Sequence, residues 1–226
     1  MTSQHTDHTT TANASEPTSA MHTDKIDTQH VKKLLRATMN GPLAQSLRDK
    51  GLHYRLIFGV EWPRLVTMAQ EIGKDHQLAQ DLWKEDIREC RLLAGLLQPV
   101  DTFYADIADI WVESMHYPEE AQYTVMSLFQ HLPYASEKAF EWIADQRPMF
   151  QLCGFLVLAR LFMKGNALMK KSEYEYLDQA SAALRSTDPH VRKAAYDSLL
   201  KYSTTGSEQE ALVDNLLKIF EKTELQ

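Results

Sequence analysis

The sequence is poor in cysteine and contains no long hydrophobic run. Its 226 residues include two cysteines, Cys90 and Cys153, each inside an apolar helical segment. We expect buried thiols there, with a disulfide or a reactive thiol as the alternative, and this usage is typical of a reducing cytoplasm. The longest apolar run, Leu152–Met163, is shorter than the roughly 18–20 residues that a membrane span requires. The sequence therefore predicts a cytoplasmic protein without a membrane partner.

Short motifs that mark common catalytic sites are also missing. The sequence has no glycine-rich phosphate loop, no cysteine pairs at zinc spacing, no His-Glu-x-x-His and no Gly-x-Ser-x-Gly. Its histidines do not pair at a ligand spacing, so we expect neither a metal nor a cofactor. The histidines outside the first 24 residues are His30, His53, His76, His116, His131 and His190.

The charge is acidic rather than basic. A formal net charge of −7 argues against strong attraction of the whole molecule to nucleic acid or to an anionic membrane. A local basic stripe on one surface is compatible with that balance. The negative net charge instead favours a protein as the binding partner.

Composition divides the chain into a tail and one domain. Residues 1–24 are rich in Thr, Ser and His and offer almost nothing to bury, which predicts a disordered tail. Met21 lies near the end of that tail and is an alternative start. Helical periodicity begins near Asp27 and continues to the end. We therefore predict a single helical-repeat domain over residues 25–226.

The segment Asp188–Ser203 shows how the repeats are built. Asp188 is placed to cap a helix, and Pro189 fits the first helical position, where its missing N–H costs nothing. Two apolar lines follow, so we expect neighbours on two sides of this helix, as in stacked helix pairs. Phe150–Phe162 is apolar almost all round and predicts the most buried helix. The first line is Val191, Ala194, Ala195, Leu199 and Tyr202, and the second is Tyr196 and Leu200.

These patterns predict an all-α fold, a right-handed superhelix of HEAT-like helix pairs. Three further stretches carry a resemblance to a known family. They are Phe58-Gly59-Val60-Glu61-Trp62-Pro63-Arg64-Leu65, Leu78–Trp83 and Arg88–Ala94. Their succession resembles the N-terminal half of the AlkD-like alkylpurine DNA glycosylases, a DNA alkylation repair family, although Arg88 stands where His is usual. The Val191–Tyr202 helix resembles a later helix of that family, and the resemblance covers about residues 30–222.

The resemblance also implies which residues to inspect for catalysis. Active members place a Trp four residues before an Asp, an Arg on the DNA backbone in the next repeat, and a Trp in the Lys-Ala helix. Here Tyr117 is followed by Ala121 at the Asp position, Cys153 replaces the Arg, and Asp197 replaces the second Trp. Loss of all three predicts weak or absent glycosylase activity, and whether the protein is an enzyme stays open.

Substitute carboxylates and a DNA surface are two further predictions. Asp106, Asp109 and Glu113 share one helical face beside Trp111, and Asp197 is a fourth candidate, although a solvated acidic face explains the first three better than a catalytic cluster does. We expect duplex DNA binding on a concave basic stripe, with a protein-interaction scaffold as the alternative function. The stripe consists of Arg88, Arg91, Arg160, Lys164, Arg192, Lys193 and Lys201.

Overall fold

Helices make up nearly all regular structure in the computed structural model, which describes residues 26–224. The predicted tail, residues 1–24, lies outside that range. An isolated bridge between Leu56 and Ile87 is the one β-type pairing within it. The twelve α-helices of residues 26–224 are α1 (Thr28–Ala37), α2 (Gly41–Asp49), α3 (Trp62–Ile72), α4 (His76–Trp83), α5 (Arg88–Leu97), α6 (Ala105–Glu113), α7 (Pro118–Ser127), α8 (Ala135–Ile143), α9 (Pro148–Met163), α10 (Lys170–Ala183), α11 (Pro189–Ser203) and α12 (Ser207–Glu224).

Side-chain caps set several helix starts. The Asp188 carboxylate accepts the backbone N–H groups of His190 and Val191, as predicted for the start of α11. Asn40 has an extended backbone and caps α2, and its side chain accepts the Leu43 N–H at 3.1 Å.

The packing order of the helices defines two layers. We call α3, α5, α7, α9 and α11 the inner row, because each of them packs against the next. The even-numbered helices from α4 onward pack against that row. This arrangement confirms the predicted all-α fold of helix pairs. No helix within residues 26–224 combines the length and hydropathy needed to cross a bilayer.

Helix α9 packs against both its inner-row neighbours, but the prediction that it is the most buried helix is wrong, because α5 has nine of its ten residues buried and α9 nine of sixteen. Phe155, Val157 and Leu158 are fully buried in α9, and Gly154 lets α8 approach closely. A side chain at Gly154 would place its Cβ 2.8 Å from the Ala139 carbonyl oxygen. Any substitution there would therefore push α8 and α9 apart.

Both cysteines are buried and free, which confirms the first interpretation of them. Cys90 lies on α5 and Cys153 on α9. Burial raises the pKa of the Cys90 thiol to about 12, so the thiol stays protonated at neutral pH. Neither cysteine is therefore suited to act as a nucleophile.

One of the two apolar lines of α11 is buried and the other is not. The line from Val191 to Tyr202 is buried, but Tyr196 is 43% exposed and Leu200 is 39% exposed. Helices α9, α10 and α12 pack on α11, so it does have several neighbours. No further inner-row helix follows it within residues 26–224 to cover the second line. The expectation that both apolar lines are buried against neighbours is therefore wrong.

Candidate nucleic-acid interface

Two of the predicted DNA-binding residues, Arg88 and Arg91, are turned inward from α5. The Arg88 guanidinium donates to both carboxylate oxygens of Glu119, from Nε at 3.0 Å and from Nη2 at 3.1 Å. Arg91 donates to Glu120 at 3.1 Å and to the Ser114 carbonyl oxygen at 2.8 Å. The exposed fractions of the two arginines are 6% and 9%. The prediction that they contact phosphates is corrected, because both guanidinium groups are buried and ion-paired inside the protein.

The neighbouring carboxylate of Glu89 orders the segment that precedes α3. It accepts the backbone N–H groups of Phe58 and Gly59, both at 2.9 Å, and that of Val60 at 3.3 Å. Gly59 has a φ of +75°, and a Cβ there would lie 2.2 Å from the Asn40 carbonyl oxygen. Glu89 is fully buried, so its role is structural, and it fixes the point at which α3 begins.

Trp83 also has a packing role. Its ring stacks on Trp111 with centroids 4.0 Å apart and planes 2° apart. Its Nε1–H donates to the Ser114 hydroxyl at 2.9 Å. This stack joins α4 to α6.

Tyr117, the aromatic residue nearest the family's first site position, does not face an open surface. Its ring packs on Tyr54 with centroids 4.6 Å apart, and its hydroxyl accepts the backbone N–H of His53 at 2.9 Å. Tyr54 in turn donates to Glu120 at 3.0 Å. Burial, followed by the charges of Glu120 and Glu119, raises the pKa of the Tyr54 phenol far above its ordinary value, so it remains a donor. Tyr117 thus belongs to a structural cluster.

The candidate carboxylates are dispersed and mostly paired. Asp109 accepts from the Trp142 indole and from Lys138, both at 2.8 Å. Asp106 and Glu113 lie with it on α6, outside the inner row, and Asp197 lies on α11. Glu113 pairs with Arg147 at 3.3 Å and Asp197 with Lys193 at 2.8 Å. The structure does not bring α6 and Asp197 together into one site, and within residues 26–224 no cluster of metal-ligating side chains occurs.

The remaining predicted cations lie on two adjacent inner-row helices, α9 and α11. Arg160 is half-buried, and Lys164, directly after α9, is exposed and donates to the Gln130 carbonyl oxygen at 3.0 Å. Arg192 donates to the Ser186 carbonyl oxygen at 2.6 Å and is exposed on its other side. Helices α9 and α11 pack side by side, so five cations are collected in the C-terminal half of the row. These are Arg160, Lys164, Arg192, Lys193 and Lys201.

Sequence reasoning missed an aromatic pair on the inner row. The rings of Trp62 on α3 and Tyr123 on α7 stack with centroids 4.3 Å apart and planes 25° apart. Tyr123 also lines a groove between α7 and α9, together with Arg160. The available signal was the spacing of Glu119, Tyr123 and Met126, which places these side chains on one face of α7.

Helix pairs stacked along an inner row define an α-helical repeat protein of the HEAT-like class. The family described as "DNA alkylation repair enzyme" matches residues 31–218. The chain therefore belongs to the DNA alkylation repair enzyme family, which confirms the resemblance predicted from the sequence.

One solved structure resembles the chain over most of its length. It is described as belonging to "a new family of proteins related to the HEAT-like repeat DNA glycosylases with affinity for branched DNA structures". The two chains are 16% identical, the TM-score is 0.77, and the alignment covers 85% of this chain and 83% of that chain. At this identity the likeness shows the HEAT-like fold alone. A comparison with curated proteins gave no match.

Proposed function

We propose that the protein binds DNA through the exposed cations of α9 and α11 and cleaves glycosidic bonds weakly or not at all. The observation that carries the proposal is the placement of those cations on two helices packed side by side. Lys and Arg side chains on one surface can meet successive phosphates and release counterions from DNA. The net charge of −7 does not oppose this, since phosphate contact depends on the local surface.

The weak catalysis follows from the carboxylates. Releasing an alkylated purine leaves positive charge on the sugar, which a free carboxylate must stabilise. Four residues after Tyr123 stands Ser127, which has no charge. The carboxylate on the same face of α7 is Glu119, and Arg88 already neutralises it through a two-pronged ion pair. Losing one such charge-stabilising group costs about a hundredfold to a thousandfold in rate.

DNA binding is tested by titrating labelled duplex DNA at several salt concentrations. We expect binding at low salt and a steep, linear fall of log affinity with log salt concentration. A four-way branched DNA of the same length belongs in the same series, because the solved relative is described as having affinity for branched DNA. Affinity that does not change with salt would contradict a phosphate-binding surface.

Catalysis is tested separately by release of 7-methylguanine and 3-methyladenine from methylated duplex DNA. A catalytically intact relative serves as the positive control. We expect release at least a hundredfold slower than by that relative. A comparable rate would contradict the proposal and direct attention to Asp109 and Asp197.

A second candidate function, a protein-interaction scaffold, is favoured by one surface groove. The groove, of about 670 Å³, lies between α8 and the start of α10, and its lining combines three glutamates with apolar side chains. Those residues are Glu137, Glu141 and Glu175 with Phe140, Leu168 and Met169. A complete absence of DNA binding at low salt would make this alternative the better description.

A further inference from the structure

An open groove on the inner row, between α7 and α9, has the composition of a nucleobase site. Its volume is about 310 Å³, at the lower end of the range of small-ligand sites. Apolar side chains form part of its lining, and an amide and a guanidinium are placed among them. The lining residues are Gln122, Tyr123, Val125, Met126, Leu156 and Arg160.

The aromatic pair beside this groove is held in place but not buried. Trp62 and Tyr123 are both half-exposed, whereas Trp83, Trp111 and Trp142 are at most 5% exposed. Pro63 at the first turn of α3 and the Glu89-ordered segment before it fix where Trp62 lies. A fixed aromatic ring loses little conformational entropy when a planar ligand stacks on it.

Arg160 gives the groove a cation that the protein does not neutralise. Within the described part of the chain, no carboxylate forms an ion pair with Arg160, in contrast to Arg88 with its two glutamates. The residues lining the groove around it include no acid. A half-buried guanidinium in this setting gains most from an anion with two oxygens available, such as a phosphate.

We infer that this groove receives one unpaired nucleobase of bound DNA, stacked against the Trp62–Tyr123 pair, with the adjoining phosphate on Arg160. Any base has a face that can stack on an aromatic side chain, and the Gln122 amide offers both donors and an acceptor to a base edge. Bases inside a duplex are already stacked on both faces, so the ligand must come from a bulge, gap or branch. This inference rests on the proposed function and names the DNA feature that the same surface selects.

Tryptophan fluorescence tests the inference on the intact protein. Trp62 does not line the groove but stacks on Tyr123, which does. Since the other three tryptophans are buried, Trp62 is the one whose fluorescence a base seated on that pair should quench. The probes are a fully paired duplex, the same duplex with a one-base bulge, and that bulge with an abasic residue. We expect quenching by the base-containing bulge only, and affinity for it about 5- to 100-fold above that for the other two.

Two variants separate base stacking from general DNA binding. Tyr123→Ala should abolish the preference for the bulged base while leaving affinity for the paired duplex unchanged, and Tyr123→Phe should retain the preference. Arg160→Gln should weaken binding of the bulged DNA and flatten its salt dependence. If Tyr123→Ala does not fold, the wild-type fluorescence and the Arg160→Gln titration still decide.

Each result has a defined meaning. Equal affinity for the base-containing and abasic bulges, without quenching, would overturn the inference while leaving the proposed DNA binding intact. No binding of any of the three DNAs at low salt would overturn both. Quenching by the paired duplex equal to that by the bulge would also overturn the inference, because it would place Trp62 against the DNA backbone.

Discussion

Two arginines of the inner row, Arg88 on α5 and Arg160 on α9, have opposite surroundings. Arg88 is 6% exposed and is held by both Glu119 and Glu89. Arg160 is half-exposed and has no acidic partner among the residues described. The same side chain thus fastens repeats together in the N-terminal half of the row and stays available to an outside anion in the C-terminal half.

The difference follows from where each arginine lies on its helix. Arg88 and Arg91 are near the start of α5 and meet the start of α7, where Glu119 and Glu120 are favourable near the helix N-terminus. These acids take the arginines of α5. Arg160 lies in the last turn of α9, where Phe162 packs on Tyr202 near the end of α11, and within residues 26–224 no acid pairs with it there.

Glu120→Ala should show the largest effect, because it removes the acid of a buried ion pair in the N-terminal half of the inner row. Glu120 is fully buried and accepts from Arg91, from Tyr54 and from the His116 N–H. Leaving Arg91 buried without its charge partner should lower the free energy of unfolding by about 3–5 kcal/mol. Urea denaturation followed by circular dichroism measures it.

The matched control for Glu120→Ala is Glu210→Ala, in the first turn of α12. Glu210 is exposed, so its replacement should change the free energy of unfolding by no more than about 0.5 kcal/mol. A loss below about 1 kcal/mol for Glu120→Ala would mean that the buried ion pairs do not hold the N-terminal repeats together.

The double variant Arg192→Ala with Lys193→Ala tests the proposed phosphate contacts in the C-terminal half of the inner row. Both side chains are exposed on α11, so stability should change little. If both meet phosphates, the slope of log affinity against log salt concentration should decrease by about 2. The control is Lys218→Ala with Lys222→Ala on α12, which removes the same charge outside the inner row. Equal effects of the two double variants would show that only net charge matters.

The sequence correctly predicted the structural features that depend on residues close together along the chain. The Asp188 cap, the buried line from Val191 to Tyr202 and the apolar helix α9 all follow from local spacing. It did not predict the direction in which Arg88 points, because its partner Glu119 comes from a helix 31 residues later. Nor did it predict the exposure of Tyr196, which depends on which helices pack against α11.

The candidate site shows the same limit. The position of Asp109 on α6 made it a reasonable candidate for a catalytic carboxylate. One of its oxygens accepts from Lys138 and the other from the Trp142 indole, and both partners lie on α8. The pairing of Trp62 with Tyr123 joins residues 61 positions apart, and no spacing rule connects them. Contacts between repeats therefore decide the site, and only the three-dimensional arrangement reveals them.

Glu173 gives a prediction about pH in the C-terminal half. A hydrogen bond from the Tyr202 hydroxyl, assisted by Gln209 and Lys170 against the opposing effect of burial, lowers the pKa of this carboxyl. The folded pKa lies below the unfolded value, so the stabilisation is complete above about pH 4.3 and is lost as pH falls through the folded pKa.

The variant Glu173→Gln should therefore flatten the acid limb of the stability curve. Urea midpoints measured between pH 7 and pH 3 give that limb for both proteins. Glu208→Gln is the control, because Glu208 also pairs with Lys170 but is exposed. An acid limb of unchanged steepness in Glu173→Gln would show that this carboxyl does not link the stability of α10, α11 and α12 to pH.

Asp197→Asn should have the smallest effect and gives the finest test of the contrast. Asp197 pairs with Lys193 one helical turn away at 2.8 Å, and both side chains reach solvent. Such a pair contributes about 0.3–0.5 kcal/mol, so the urea midpoint should move only slightly.

Removing the acid frees Lys193 and makes the surface of α11 more positive. DNA affinity at low salt should therefore increase modestly, and the salt slope should steepen or stay the same. Lys193→Gln is the matched variant and should lower DNA affinity at low salt.

A decrease in DNA affinity for Asp197→Asn would mean that Asp197 orients Lys193 for its phosphate instead of competing with it, since the neutral amide holds the ammonium less firmly. Loss of base release in the same variant, if any release is found in the wild type, would instead identify Asp197 as the substitute carboxylate.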